Sequence, residues 1–298
     1  MTGGIEQIIT PVTHDLGAFK VRRALPVRER TMVGPFIFVD QFGPARMMPG
    51  EGMDVRPHPH INLATVTYLF DGAIQHRDSL GSDQRIEPGA INLMTAGSGI
   101  VHSERSPSDM RARGPSFYGM QTWLALPDGR EEIEPAFEHV PSEGLPLVED
   151  TGVSVRVLMG RLFGYTASTT CHSPTIYADL MLDAGSSLPV DAEADERGVM
   201  VTEGAAELDG HPLEPFSLYV LAPGHEALLT ALAPTRAMLL GGQAFATPRH
   251  VYWNFVSSSR ERIQQAKEDW IERRFPLVPG DEEEFIPFPA VPKAVSYP

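Results

Sequence analysis

Two short segments carry the residues of this chain best suited to hold a metal ion, Arg56-Pro57-His58-Pro59-His60 and Gly97-Ser98-Gly99-Ile100-Val101-His102-Ser103-Glu104. Between them they offer His58, His60, His102 and Glu104, each pair spaced i, i+2. In an extended strand, residues two apart share a face and lie roughly 7 Å apart, so His58 and His60 can converge on one point, as can His102 and Glu104. Three neutral imidazoles and one carboxylate around a divalent first-row ion leave a net charge of about +1. In an octahedral field two positions stay open, where a substrate oxygen and dioxygen can meet on one ion, as in non-haem oxygenases. The donor set alone does not select the ion. Imidazole suits Fe, Cu, Ni and Zn, although zinc sites are more often four-coordinate.

The intervening chain has the pattern needed to position these groups. Asn62 to Phe70 is rich in β-branched and aromatic residues and ends at Asp71-Gly72, a hairpin signal. Ala73 to Asp78 reads as the return strand, Glu87-Pro88-Gly89 as a turn, and Ala90 to Thr95 as a further apolar strand. Gly97-Ser98-Gly99 is a tight bend that delivers His102 and Glu104. Strands and turns without a helical period describe an antiparallel sheet closing on itself. A single strand histidine is ordinarily a surface or hydrogen-bonded residue, but two pairs on neighbouring strands, each introduced by Pro or Gly turns, predict a metal site. His76, just after the hairpin, is expected either to hydrogen-bond near the rim of the pocket, since its strand neighbours the His58 strand, or to face solvent or stabilise a turn.

Gly34-Pro35-Phe36, Val39-Asp40-Gln41-Phe42-Gly43-Pro44, His58-Pro59-His60, Met94-Thr95-Ala96-Gly97 and Gly99-Ile100-Val101-His102-Ser103-Glu104 together resemble the pirin family. The resemblance runs from about Val21 to Leu126 and more loosely to about Phe245. It implies an all-β protein of two stacked cupin β-barrels (double-stranded β-helix, or jelly roll) with metal in the N-terminal barrel only; the residues beyond Phe245 add a short helix and an extended tail. It also implies His58, His60, His102 and Glu104 as the ligands. The general cupin pattern places a Glu a few residues after H-x-H; here Asn62-Leu63-Ala64-Thr65 carries no acid, so a carboxylate ligand, if the site has one, falls to Glu104. The resemblance favours iron, with Cu, Ni, Mn and Zn as alternatives, and ring cleavage of the quercetin 2,3-dioxygenase type. Glu104 would then be both ligand and proton acceptor. Phe36, Phe38, Phe42, Tyr68, Phe117, Tyr118 and Trp123 are candidates to line an aromatic substrate's site, though strand alternation buries half of any such set in ordinary core. The family's other implied role is a non-catalytic metal-binding regulator that contacts another protein.

The chain divides into a first barrel (1–126), an acidic Pro- and Gly-bearing connector (127–151), a second barrel (152–245) and a tail (246–298). The second barrel reads as a degenerate repeat. Val201-Thr202-Glu203-Gly204 matches Leu69-Phe70-Asp71-Gly72, which puts Val190 and Ala192 where His58 and His60 stand. His225 falls near the second ligand strand as a lone imidazole, expected on a backbone carbonyl. In the tail, Ser258-Ser259-Arg260-Glu261 is a capping-box pattern, and Ile263, Ala266, Trp270 and Ile271 recur at helical spacing up to about Phe275-Pro276. Phe285-Ile286-Pro287-Phe288-Pro289 is expected to lie along a barrel as a strap.

Composition narrows the partners. A chain of 298 residues with a 42% hydrophobic fraction can build two substantial cores. A formal net charge of −15 argues against direct binding of nucleic acid or anionic membranes. Val21-Arg22-Arg23 with Arg28 and Arg30 is the best local basic candidate, read as solvated strand charges. No apolar run is long enough for a bilayer and the N-terminus lacks signal-peptide character, so the expected location is cytoplasmic. The single Cys171 agrees with a reducing compartment, and neighbouring His172, on the opposite face of a strand, would be a poor catalytic partner. The expected partners are a small flavonol-like aromatic substrate and dioxygen, acting on a monomer.

Overall fold

β-branched and aromatic residues interrupted by Gly, Pro and Asp leave few stretches able to sustain a helix, and the computed structural model of the chain is built mainly of strands. It describes residues 4–15, 19–190 and 194–290, and the backbone of the Ala294–Val295 strand. Two compact units result. The described residues within Thr13–Val21, Phe38–Ser142 and Ala246–Pro298 form one, and those within Met1–Val12, Arg22–Ile37 and Glu143–Phe245 form the other. Each is a cupin-like domain. Sequence order and spatial grouping therefore differ at both ends of the chain.

The unit bearing His58 contains a four-stranded antiparallel sheet in the order Asp54–His60, Ile100–Arg105, Ile74–Asp78, Asp83–Ile86. The Leu63–Gly72 strand lies in a seven-stranded sheet, between Ile91–Thr95 and Ser116–Ala125. The predicted hairpin therefore sends its two strands into different sheets. Its turn demands glycine: Gly72 has φ +89°, and a Cβ there would lie 2.2 Å from the Ser116 carbonyl oxygen. The acidic connector is not irregular. Ala136–Val140 pairs with Ile91–Thr95, and Leu147–Asp150 pairs with Val153–Leu162.

Asp54–His60 is an edge strand, as Pro57 and Pro59 require, since neither has an N–H to give a ladder. The C-terminal segment covers it. Ile286 N donates to the Pro57 carbonyl at 2.8 Å, and Trp270 Nε1 donates to the Ile286 carbonyl at 3.0 Å. Arg105 holds the same segment through bonds to Asp281 and Glu284, each 2.8 Å. The Arg260–Ile271 helix buries Ile263, Ala266 and Trp270 against Ile61, Val101 and Phe255. Its N-cap is Ser259, which accepts from Arg262 N, so the cap sits one residue beyond the S-x-x-E pattern. The helix ends at Ile271, short of Phe275. Among the described residues no helix is long and apolar enough to cross a membrane.

In the other unit, a large sheet and a four-stranded one enclose an apolar core. Ser187–Val190 pairs with Ala227–Ala231, with Val190 opposite Ala227 and Leu188 opposite Leu229. In the His58 unit the same edge pairing sets His60 opposite Ile100 and His58 opposite His102. Val190 thus lies on a paired strand with no ligand group, and Ala192, the other expected counterpart, lies outside the described residues. His225 also differs from expectation: its Nε2 pairs with the Asp209 carboxylate at 2.7 Å, and its carbonyl accepts from the buried Arg197.

Candidate metal centre

Because side chains two apart share a strand face, the Asp54–His60 and Ile100–Arg105 strands project His58, His60 and His102 to one place. One ligand nitrogen from each imidazole lies within 4.8 Å of the others. All three rings are buried, at 6%, 1% and 1% exposure for His58, His60 and His102, so little motion is needed to gather them. His60 Nε2 and His102 Nε2 are 3.1 Å apart. Two nitrogens about 2.1 Å from one ion are about 3.0 Å apart at a right angle and about 3.4 Å apart in a tetrahedron. The spacing is one that two ligands of a single ion adopt.

Burial also sets the charge state. It holds His58 down to about 4 and pushes His60 and His102 well below the ordinary imidazole value; neighbouring imidazoles act in the same direction, while the Arg56 and Asn254 carbonyls oppose it at His58 and His60. At neutral pH the lone pairs are free for a cation. The same burial makes the metal-free protein acid-sensitive. Unfolded imidazoles protonate near pH 6.5 while folded His58 resists to about 4, so the unfolded state binds more protons and stability falls as pH drops through that window. His58 alone contributes about 3 kcal/mol to this loss, and His60 and His102 add to it with the same sign. Thermal unfolding of chelator-treated protein should show a falling Tm between pH 6.5 and 4.5; a flat Tm would mean that the fold tolerates these rings charged.

Glu104 is also buried, and burial raises its carboxyl above the usual range. Thr67 Oγ1 lies 3.3 Å from Glu104 Oε1 and 2.9 Å from Gln121 Oε1. The simple i, i+2 picture is modified here by a bulge. His102 stands opposite His58, but Glu104 stands opposite Val55, so the extra residue lies at Arg56-Pro57. On its other side Glu104 faces His76 across the Ile74–Asp78 strand.

His76 is not at the rim. It is buried, its Nδ1 lies 3.5 Å from His102 Nδ1, and its Nε2 lies 3.0 Å from Asp78 Oδ2. Asp78 is fully buried and also accepts from Leu80 N and Ser82 N. The other imidazoles meet main-chain oxygens: His58 Nδ1 meets the Arg56 carbonyl at 2.9 Å, and His60 Nδ1 meets the Asn254 carbonyl at 3.0 Å. Asn254 follows Trp253, a bulky residue at φ +56°. Such strain persists where the surroundings fix it, often at functional sites.

Of the aromatic candidates, Trp123 packs edge-on against His60 at 5.0 Å and is backed by Phe38, stacked at 4.0 Å. Phe42 and Phe117 stack on each other in the core, Tyr68, Phe70 and Tyr118 form a separate cluster, and Phe36 packs on Tyr177 in the other unit. Phe137, which the sequence did not single out, stacks on His76 at 4.5 Å. His76 and Asp78 were detectable in principle, since they repeat the i, i+2 spacing of the ligand pairs. Cys171 lies in a loop rather than a strand, half-buried and unbridged.

Two cupin-like domains, one of them gathering three strand-borne imidazoles able to bind a metal, define a bicupin of the cupin superfamily. Comparison with known proteins makes this specific. The Pirin family's sequence profile matches residues 18–124 and that of the Pirin C-terminal cupin domain matches residues 177–276. A pirin-like protein of Caulobacter vibrioides is 47% identical over 289 residues, spanning 96% of this chain and 99% of its own. Human pirin is 29% identical over 83% of this chain and 84% of its own. The crystal structure of a quercetin 2,3-dioxygenase from Acinetobacter baumannii superposes with a TM-score of 0.89 at 34% identity, covering 96% of both chains. The chain belongs to the pirin family.

Proposed function

We propose that this protein is a metal-dependent dioxygenase that opens the ring of a flavonol-like substrate, with His58, His60, His102 and Glu104 as ligands and iron as the working ion. The observation that carries the reading is the convergence of three buried imidazoles, whose ligand nitrogens lie within 4.8 Å of one another; Glu104, two residues on from His102 and also buried, is the carboxylate assigned to them. Likeness to a quercetin 2,3-dioxygenase along nearly the whole chain supports it. When bound, the ion would supply adjacent positions for a substrate oxygen and dioxygen. The residues supply the rest. Burial raises the proton affinity of Glu104, which suits it to take the proton of an acidic flavonol hydroxyl, and Thr67 orients its carboxylate. Trp123, backed by Phe38, fixes the His60 ring and offers an aromatic wall.

The depth of the imidazoles favours a second reading, a metal-binding regulator that contacts another protein, because a closed site limits access for a substrate as large as a flavonol. Reconstitution under anaerobic conditions with Fe(II), Cu(II), Ni(II), Mn(II) or Zn(II), followed by addition of quercetin and dioxygen, separates the two. The dioxygenase reading expects quercetin loss matched by released carbon monoxide for at least one ion, highest with iron. Stoichiometric metal binding with no turnover for any ion would leave the regulator.

A further inference from the structure

We infer that the unit built around Glu143–Phe245 carries a binding site of its own, a cleft for a small monocarboxylic acid with an apolar body, anchored by Arg161. The site stands whether or not the imidazoles of the other unit hold a metal. The ends of four neighbouring strands, Glu196–Glu203, Thr235–Gly242, Thr175–Leu182 and Val153–Leu162, build it. Along this row Glu196 stands opposite Gly242, Gly242 opposite Thr175, and Ile176 opposite Gly160. The 167–174 loop is tied to the same strand ends: Ala167 N donates to the Gly160 carbonyl and Gln243 N to the Pro174 carbonyl, each at 2.9 Å. Loop and strand ends together line a cleft of about 710 Å³, a volume in the range of small-molecule sites and held open by main-chain bonds rather than by a ligand.

The walls divide by chemistry. Ala167, Ile176 and Ala194 form an apolar surface continuous with the core of the unit. Arg161 lines one end of the row and makes no ion pair with any described residue, in a chain of net charge −15. Asp195 lines the other end, where its carboxylate accepts from Ala244 N at 3.2 Å. Three strand steps, roughly 14 Å, separate the backbones of the two, so the guanidinium is left for an outside anion. Its planar fork matches a carboxylate, and a single cation answers a single negative charge better than a phosphate dianion. The apolar wall favours a hydrocarbon body over a bare ion. Thr169 also lines the cleft, and its buried hydroxyl bonds to none of the described residues. Buried polar groups are ordinarily paired, and a ligand oxygen would supply the partner. Cys171, the chain's single cysteine, stands half-buried in the same wall, with Sγ 3.7 Å from the Thr169 carbonyl oxygen.

That thiol reports on the cleft. The test is the rate at which iodoacetamide alkylates the full-length protein, followed by intact mass, with 3-phenylpropionate, its neutral amide or 3-phenylpropylamine present. At a Kd of about 1 mM, ordinary for a ligand of this size, about 10 mM acid fills roughly nine-tenths of the sites, so alkylation of Cys171 should slow about tenfold. The amide and the amine should change it less than about twofold. In Arg161→Gln, a substitution at an exposed position, the acid should lose its protection, and Arg161→Lys should keep part of it. Equal protection by acid and amide, better protection by the amine, protection that survives Arg161→Gln, or no protection would each overturn the proposal. Should native Cys171 be inert to the reagent, equilibrium dialysis of the acid against the parent protein and Arg161→Gln decides instead, and equal binding or none would overturn it.

Discussion

His58→Ala/His60→Ala should abolish retention of the metal. With two of three imidazoles gone, His102 and a carboxylate would be the remaining donors, and His60's partner carbonyl on Asn254 would be left facing a methyl group. Four-ligand sites hold a structural ion with about 10–16 kcal/mol, or roughly 3 kcal/mol per ligand, so two ligands are worth about 6 kcal/mol and affinity should fall about 10⁴-fold. Metal content after dialysis is the direct measure, and quercetin turnover, where the parent protein shows it, should drop to background. Unchanged turnover in the double variant would remove the oxygenase reading. Stability should fall as well, because truncating two buried rings opens a cavity and leaves the Arg56 and Asn254 carbonyls without their partners, so metal content is compared on variant protein shown to be folded.

Trp270→Ala should lower the unfolding free energy by about 3–5 kcal/mol, a large share of the 5–15 kcal/mol typical of a domain. The indole is buried among Phe275, Phe285 and Trp253, and its Nε1–H is the donor to the Ile286 carbonyl. Truncation opens a cavity and leaves that carbonyl without its partner. The loss should reach the metal centre, because Ile286 also bonds Pro57 in the His58 strand, and Asn254, on the adjoining hairpin, bonds His60. Denaturant unfolding checks the first effect, and the dissociation rate of bound metal, expected to rise, checks the second. A loss below 1 kcal/mol would show that the helix is only loosely docked.

The two candidate pairs were legible because the two-residue period of a strand is local: H-P-H and H-S-E announce a shared face without any knowledge of neighbours. The Asp71-Gly72 turn was legible for the same reason, since a positive φ at Gly72 is a property of one residue. What was lost depended on register or distance. The bulge at Arg56-Pro57, which sets Glu104 opposite Val55, cannot be seen in either strand alone. The carbonyl that meets His60 comes from Asn254, 194 residues away, and nothing near His60 in sequence points to it. His76 and Asp78 had the right spacing but followed a turn, where a polar pair ordinarily faces water; only the pairing of Ile74–Asp78 with Ile100–Arg105 buries them.

The two prolines of the His58 strand act outward as well as inward. Sheet borders recruit foreign strands through unspent N–H groups, and this border has lost two of them in the space of three residues, at Pro57 and Pro59. With the Pro57 oxygen already engaged by Ile286, a stray chain meets a stretch with little to grip. The strand that carries His58 and His60 is in this way guarded against templated self-association.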